Sequence, residues 1–251
     1  MSVIDKLLAA YPDLKERIYS LNEVPPQAYY PSGIKKLDEL LGGGLPAGRI
    51  VEWYGPKGIG KTTVALHFQP ELYICTERDL YVPWVAKISP NTNVAFPKTA
   101  EKALELLEAA VRAKLQVVVL DSLAGMVPEA ELTGGKQVGL FPRVVNAGLR
   151  RVIVANEVTA VVIINQVRVV LNHPGMLDSP GGEFLKHACS QRVEFRPGGE
   201  YVTRGERRIG HAIRLVLTKN KVGAPYTWTM LYLTYDGTIH ETPASAKSAQ
   251  V

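Results

Sequence analysis

The stretch "GPKGIGKTT", Gly55 to Thr63, decides the fold. It sits between two apolar runs, "RIVEWY" (49–54) and "VALHF" (64–68). Gly55, Pro56, Lys57, Gly58, Ile59, Gly60, Lys61 and Thr62 together fit G-x-x-x-x-G-K-[ST] in full, and Thr63 completes the segment. Such a match arises by accident in about one chain in a hundred of this length. Here it also has the strand before it and the helix after it that phosphate binding requires. Glycines let successive backbone N–H groups turn inward around an anion. Lys61 supplies a point charge for β- and γ-phosphates, and the Thr62 hydroxyl is a Mg²⁺ ligand. The helix that starts near Lys61 adds its N-terminal dipole. ATP or a similar nucleotide, with Mg²⁺, is the expected ligand.

Outward from this loop, apolar strands alternate with helices. "LYICT" (72–76) reads as a strand. "TAEKALELLEAAVRAK" (99–114) reads as a helix, with Ala103, Leu104, Leu107, Ala110 and Val111 at helical spacing and Thr99 as its cap. "VVVLD" (117–121) and "TAVVIINQ" (159–166) are continuous apolar runs of the kind buried on both faces of a parallel sheet. Between them "RVVNAGLRRVIVANEV" (143–158) reads as a helix. "SQRVEF" (190–195), "AIRLVLT" (212–218) and "TWTMLYLTY" (227–235) suggest an antiparallel extension. The pattern predicts an α/β fold: a mostly parallel, twisted sheet flanked by helices, with ligands at the carboxyl ends of the strands.

Ahead of this core, residues 3–21 read as an amphipathic helix with Ile4, Leu7, Leu8 and Tyr11 on one face. "NEVPPQAYYPSG" (22–33) reads as a linker. "IKKLDELLGGGLPAG" (34–48) is a helix stopped by the glycine run Gly42 to Gly44. The expected organisation is an N-terminal helix and linker over 1–30, a possible subunit-contact arm, then a core over 31–240. Residues 241–251, ending in "PASAKSAQV", are expected to be a disordered tail.

At 251 residues with 46% hydrophobic content, the chain suits one well-buried α/β domain. The net charge of +5 is compatible with a polyanionic partner without requiring one. Two cysteines, Cys75 and Cys189, cannot build a zinc cluster or a disulfide framework, and the five histidines lack metal-ligand spacing. No stretch approaches the ~20 apolar residues of a membrane span, and the N-terminus lacks the form of a signal peptide. A cytoplasmic protein with no membrane contact is expected.

A magnesium-bound triphosphate needs a second carboxylate at the end of a neighbouring strand, and "VVVLD" supplies Asp121. Hydrolysis needs a group that orients water. Glu77, following "LYICT", falls on the same sheet edge, either as that group or as a solvated loop residue. Gln166 reaches this edge from another strand, as a γ-phosphate reader or simply a polar strand terminus.

"LPAGRIVEWYGPKGIGKTT", "VVVLDSLAGMVPEAEL", "GLFPRVVNAGLRR", "IINQVRVVLNHPGMLDSPGGEFLKHACSQRVEF" and "IRLVLTKNKVGAP" follow one another in order. Together they resemble the ATPase core of the bacterial RecA recombinase family, from about Pro31 to Ile239. The resemblance implies that Glu77 is the catalytic glutamate and Gln166 the γ-phosphate sensor. It implies a first DNA loop over Glu129 to Phe141 and a second over Arg168 to Gly182, including Gly181. Arg143, Arg150 and Arg168 match arginines that meet the DNA backbone, and Val138 and Leu171 match side chains that wedge between base triplets. Lys219 and Lys221 match lysines that reach the neighbouring subunit's ATP, and Trp84 falls where an aromatic packs on adenine. Single-stranded DNA and then double-stranded DNA would be the partners, bound by a homo-oligomer in a helical filament, with a ring as the alternative.

Departures accompany the likeness. Glu77 follows Lys61 by 16 positions, fewer than the family usually shows, so the helix after the phosphate loop must be short. Cys75 and Thr76 stand where an acidic and a small residue are common, and Val170 where a basic one is. The chain is expected to lack the family's separate C-terminal domain, as a minimal, divergent form encoded by a mobile element or virus would. The reading is an ATP-dependent DNA-binding recombinase that promotes homologous pairing and strand exchange in recombination and repair. Two alternatives stay open: a ring-forming helicase or branch-migration ATPase like RadA/Sms, given the likeness of "TKNKVG", and a weakly hydrolysing regulator.

Overall fold

The structure, a computed structural model, describes residues 3–12, 22, 24–134, 139–169 and 177–248. Val138 and Leu171 lie outside the described residues, and of Arg168 only the backbone is described. In chain order the elements begin with α1 (Val3–Ala10), β1 (Tyr29–Tyr30), α2 (Lys35–Leu41), β2 (Leu45–Pro46) and β3 (Ile50–Gly55). Then come α3 (Lys61–Leu66), β4 (Leu72–Cys75), α4 (Val82–Ile88), β5 (Asn93–Ala95), α5 (Ala100–Arg112) and β6 (Val117–Asp121). A 3₁₀ turn, Leu123–Gly125, leads to α6 (Glu129–Leu132), α7 (Leu140–Ala155), β7 (Ala160–Gln166), β8 (Arg168–Val169), β9 (Leu177–Asp178) and α8 (Gly182–Ala188). The chain closes with β10 (Gln191–Arg204), β11 (Arg207–Asn220), β12 (Thr227–Thr234), β13 (Ile239–His240) and α9 (Pro243–Ser248).

Among the described residues nine strands form the main sheet in the order β13-β12-β11-β10-β3-β7-β6-β4-β5. From β10 to β5 neighbours are parallel, and from β10 to β13 they are antiparallel. The mixed α/β class with its antiparallel extension is therefore present. The apolar runs are buried on both sides, and their alternation sorts side chains between two cores. Val162 and Ile164 of β7 join Trp53, Leu66, Phe68 and Phe195 beneath α2, α3 and α4. Val161 and Ile163 join Leu104, Leu107, Val145 and Leu149 beneath α5 and α7. A parallel strand buried on both faces needs apolar residues at every position, which is why β6 and β7 read as unbroken runs.

Local signals act as their chemistry requires. Thr99 caps α5, its side chain accepting from the Lys102 N–H. At Gly42 α2 stops in a left-handed turn whose N–H groups return to the Asp38 and Glu39 carbonyls. Gly55 ends β3 where a Cβ would lie 2.4 Å from the Phe195 carbonyl oxygen of β10, so the strands close on a position that admits no side chain.

Other elements depart from expectation. α1 is a helix over Val3–Ala10 with no residue buried, and the rest of the expected span, from 13 to 21, lies outside the described residues. α4 and β5 arise in a proline-bearing stretch with no clear period. The expected disordered tail is corrected over Pro243–Ser248, which is α9: Ala246 is fully buried against Val202, Ile209 and Tyr232. One small apolar side chain with a ready pocket orders a sequence whose composition is otherwise polar. Among the described residues no helix is long and apolar enough to cross a membrane.

Candidate functional site

The carboxyl ends of β3, β4, β6 and β7 converge. Gly55 pairs with Gln166, Cys75 with Asp121, and Asp121 with Ile164. The cavity above them, about 240 Å³, is lined by Lys57, Gly58, Gly60, Lys61, Thr62, Thr63, Glu77, Asp79, Asp121, Ile164 and Gln166. That is below the ~300 Å³ of typical whole-ligand sites, and suits a phosphate chain rather than an entire nucleotide.

Lys61 opens α3 and is buried. Its ammonium donates to the Gly55 carbonyl at 3.0 Å and the Pro56 carbonyl at 2.7 Å. Burial lowers its pKa, with the carboxylates of Asp121 and Glu77 opposing the change. Thr62 donates its hydroxyl to Asp121 Oδ2 at 2.7 Å, and the buried Tyr73 hydroxyl donates to the same oxygen. Burial raises the Asp121 pKa against the pull of those two hydrogen bonds. Its backbone is fixed just past β4, where the Thr76 N–H donates to the Asp121 carbonyl at 2.8 Å.

Glu77 reaches this cavity even though α3 has only six residues. Its Oε1 accepts from Gln166 Nε2 at 2.6 Å and from the Ser122 hydroxyl. The short path from Thr63 to Glu77 works because β4 follows α3 almost at once and pairs with β6, which delivers both carboxylates to one edge. Gly125 sets the fit: a Cβ there would sit 2.5 Å from Glu77 Cγ. The motifs did not single out Gly125, Ser122 or Tyr73, since none stands in a signature position and a tyrosine inside a strand reads as core.

Gln166 also connects to the sheet interior. Its N–H donates to Asn165 Oδ1 at 3.1 Å, and Asn165 Nδ2 donates to the Pro180 carbonyl at 2.7 Å and Glu52 Oε1 at 3.0 Å. Glu52, fully buried, holds Arg192 Nε at 2.5 Å, and Arg192 in turn reaches the Ser179 hydroxyl at 3.1 Å. Both ends of the segment between β7 and α8 are thus anchored in one buried network.

The other expected site residues take different places around the cavity and beyond it. Within the loop, Lys57 is exposed and 3.7 Å from Asp79, and Ile59 is buried in the core. Trp84 is not among the cavity-lining residues. Its indole N–H donates to Thr63 Oγ1 at 3.3 Å, and its ring lies beside Gly237. Arg143 is exposed on the first turn of α7, and Arg150, seven positions on and so on the same face, lies over the Phe184 ring at 5.0 Å. Gly181 caps α8, packed so closely on Leu123 that a Cβ would meet it at 2.6 Å, and Gly182 is the helix's first residue. β8 begins at Arg168, paired with Asp178 of β9.

Lys219 and Lys221 are not brought to this cavity. Lys219 pairs with Arg192, whose β3 partner is Glu52, so both lysines sit toward the start of β3 while the phosphate loop follows its end. At about 3.3 Å per residue the ends of β3 are more than 10 Å apart. Lys219 donates to the Lys186 carbonyl and, at 3.3 Å, to that of His187, and Lys221 donates to His187 at 3.0 Å. The two ammoniums cover the electronegative end of α8.

Comparison with known proteins agrees with this geometry. A family model of the RecA N-terminal domain matches residues 15–240. RecA from Oceanobacillus iheyensis is 37% identical over 227 residues, covering 82% of this chain and 65% of that protein. RecA from Syntrophus aciditrophicus is 36% identical over 237 residues, covering 86% and 66%, and RecA from Thermus thermophilus is 34% identical over 234 residues, covering 84% and 69%. The chain spans about two thirds of the length of these relatives. The crystal structure of the RadB recombinase superposes with a TM-score of 0.66 at 18% identity, over 85% of this chain and 99% of that one, a likeness of fold. The phosphate loop, the two carboxylates on one sheet edge and the family match over most of the sequence lead to one conclusion: the chain belongs to the RecA family.

Proposed function

We propose that this protein is a DNA-dependent ATPase of the recombinase class, which assembles on single-stranded DNA and then pairs it with a complementary duplex. One observation carries the reading: Glu77 and Gln166 are hydrogen-bonded to each other inside the phosphate-loop cavity. The group suited to orient water is thereby tied to the strand that runs on into the second expected DNA loop.

The residues fit a magnesium nucleotide. Mg²⁺ takes one or two protein oxygens together with phosphates and water, and the Thr62 hydroxyl and Asp121 carboxylate are such a pair. Bound there, the ion would neutralise charge building on the phosphate oxygens. Lys61 and the N–H groups of the loop hold the phosphate chain. Glu77 orients the attacking water and takes its proton, while Gln166 senses the γ-phosphate and passes its presence to the segment beyond β7. Lys219 and Lys221, too far from their own loop, serve the site of an adjacent subunit. ATP then favours assembly and its hydrolysis favours release. Arg143, Arg150 and Arg168 supply phosphate contacts to DNA.

The test is ATP hydrolysis with and without single-stranded DNA, in the wild type and in Lys61→Ala. The reading expects turnover to rise several-fold with DNA and to vanish in the variant. A high rate indifferent to DNA would overturn it.

A further inference from the structure

Tyr73 has no place in the phosphate-loop motif, yet its hydroxyl is aimed at the carboxylate beside it. The residue lies in β4, fully buried, and donates to Asp121 Oδ2. Thr62 Oγ1 donates to that same oxygen at 2.7 Å. A carboxylate oxygen offers two lone pairs, and here both are taken by hydroxyl protons. Among the described residues no donor is assigned to Oδ1, and Asp121 lines the cavity.

The arrangement has a consequence for a cation. A hydroxyl has one proton, and Thr62 spends it on Asp121, which leaves its oxygen lone pairs for a metal ion. Tyr73 fills the remaining lone pair of Oδ2, so that oxygen cannot turn toward the ion and Oδ1 is the one presented to it. Thr76, just past β4, completes the clamp: its N–H donates to the Asp121 carbonyl at 2.8 Å, and its Oγ1 donates to the Ser122 carbonyl at 2.6 Å and accepts from the Ser122 N–H at 3.1 Å. Tyr73 of β4 and Thr76 beyond it thereby fix both the side chain and the main chain of Asp121.

We propose that Tyr73 is a positioning residue for the divalent cation, setting which oxygen of Asp121 addresses the ion. The proposal rests on reading the cavity as a magnesium-nucleotide site. Tyr73→Phe keeps the ring and its packing and removes the donating hydroxyl, which makes it the decisive variant.

The experiment follows binding of fluorescent mant-ADP by the full chain, first in EDTA and then across a Mg²⁺ titration. In Tyr73→Phe the half-saturating Mg²⁺ concentration is expected to rise about tenfold, the effect of losing one hydrogen bond to a charged group. Affinity in EDTA should stay as in the wild type. An unchanged Mg²⁺ requirement would overturn the proposal. So would an equal loss of affinity with and without Mg²⁺, which would make Tyr73 a support of the loop rather than of the ion. A wild type whose mant-ADP binding ignores Mg²⁺ would sink the magnesium-nucleotide reading itself, whatever the variant does.

Discussion

Replacing Glu52 with glutamine tests the buried network behind the site. The substitution keeps the shape of the side chain, removes its charge and replaces one of its two accepting oxygens with a donor. Glu52 is fully buried, and its partner Arg192 has a side chain only 15% exposed, so the guanidinium would be left in a low-dielectric interior with its charge uncompensated. Breaking one side of such a pair costs about 3–5 kcal/mol. Two other contacts of Arg192 soften the loss, the Tyr54 ring at 4.6 Å and the Ser179 hydroxyl at 3.1 Å, which points to the lower end, about 3 kcal/mol. Against a total stability of about 5–15 kcal/mol, that is a large fraction. Urea denaturation followed by circular dichroism would read it as a lowered midpoint with an unchanged slope. The double variant Glu52→Leu with Arg192→Leu should recover much of the loss, because a packed apolar pair carries no stranded charge. A loss under about 1 kcal/mol for Glu52→Gln would show a solvated pair and contradict its burial.

Other consequences can be checked with simple assays. In Gly125→Ala the new Cβ would stand 2.5 Å from Glu77 Cγ, so the carboxylate must move. Turnover should fall up to about a hundredfold with mant-ADP affinity retained, and unchanged turnover would separate Glu77 from the chemistry. Cys75 and Cys189 are both buried, and burial raises both thiol pKa values. Ellman's reagent should label neither in the native protein and both in guanidinium; prompt native labelling would contradict the packing. Lys61→Ala and Lys219→Ala should each lose turnover, yet a mixture should regain about a quarter of it, because some interfaces then combine one good loop with one good lysine. A mixture as inactive as its parts would exclude the shared site.

What the sequence discloses follows from how local each signal is. Lys61, Thr62 and Asp121 are legible because a strand, a loop and a helix in fixed order dictate where they lie. Glu77 and Gln166 are nearly so, since each follows or closes an apolar run whose pattern marks it as a strand reaching the same sheet edge. Their mutual hydrogen bond is not, because it depends on how far the short α3 sets β4 back, a property of packing. Glu52 shows the opposite case. A charged residue inside "IVEWY" looks like a break in the core, but it is buried in full because Arg192 and Asn165 arrive from distant parts of the chain to meet it. Tyr73 looks like any aromatic in a strand, and only the fold reveals where its hydroxyl points. α9 escaped for a similar reason: Ala246 carries almost no apolar signal, and its burial is decided by the pocket that receives it.

On the proposed reading each nucleotide site needs two subunits, so that ATP drives assembly on DNA. Electron microscopy of the protein with a non-hydrolysable ATP analogue and single-stranded DNA tests this in one view. Helical filaments that disappear without nucleotide are the expected result, whereas monomers that ignore nucleotide and DNA would contradict a shared site.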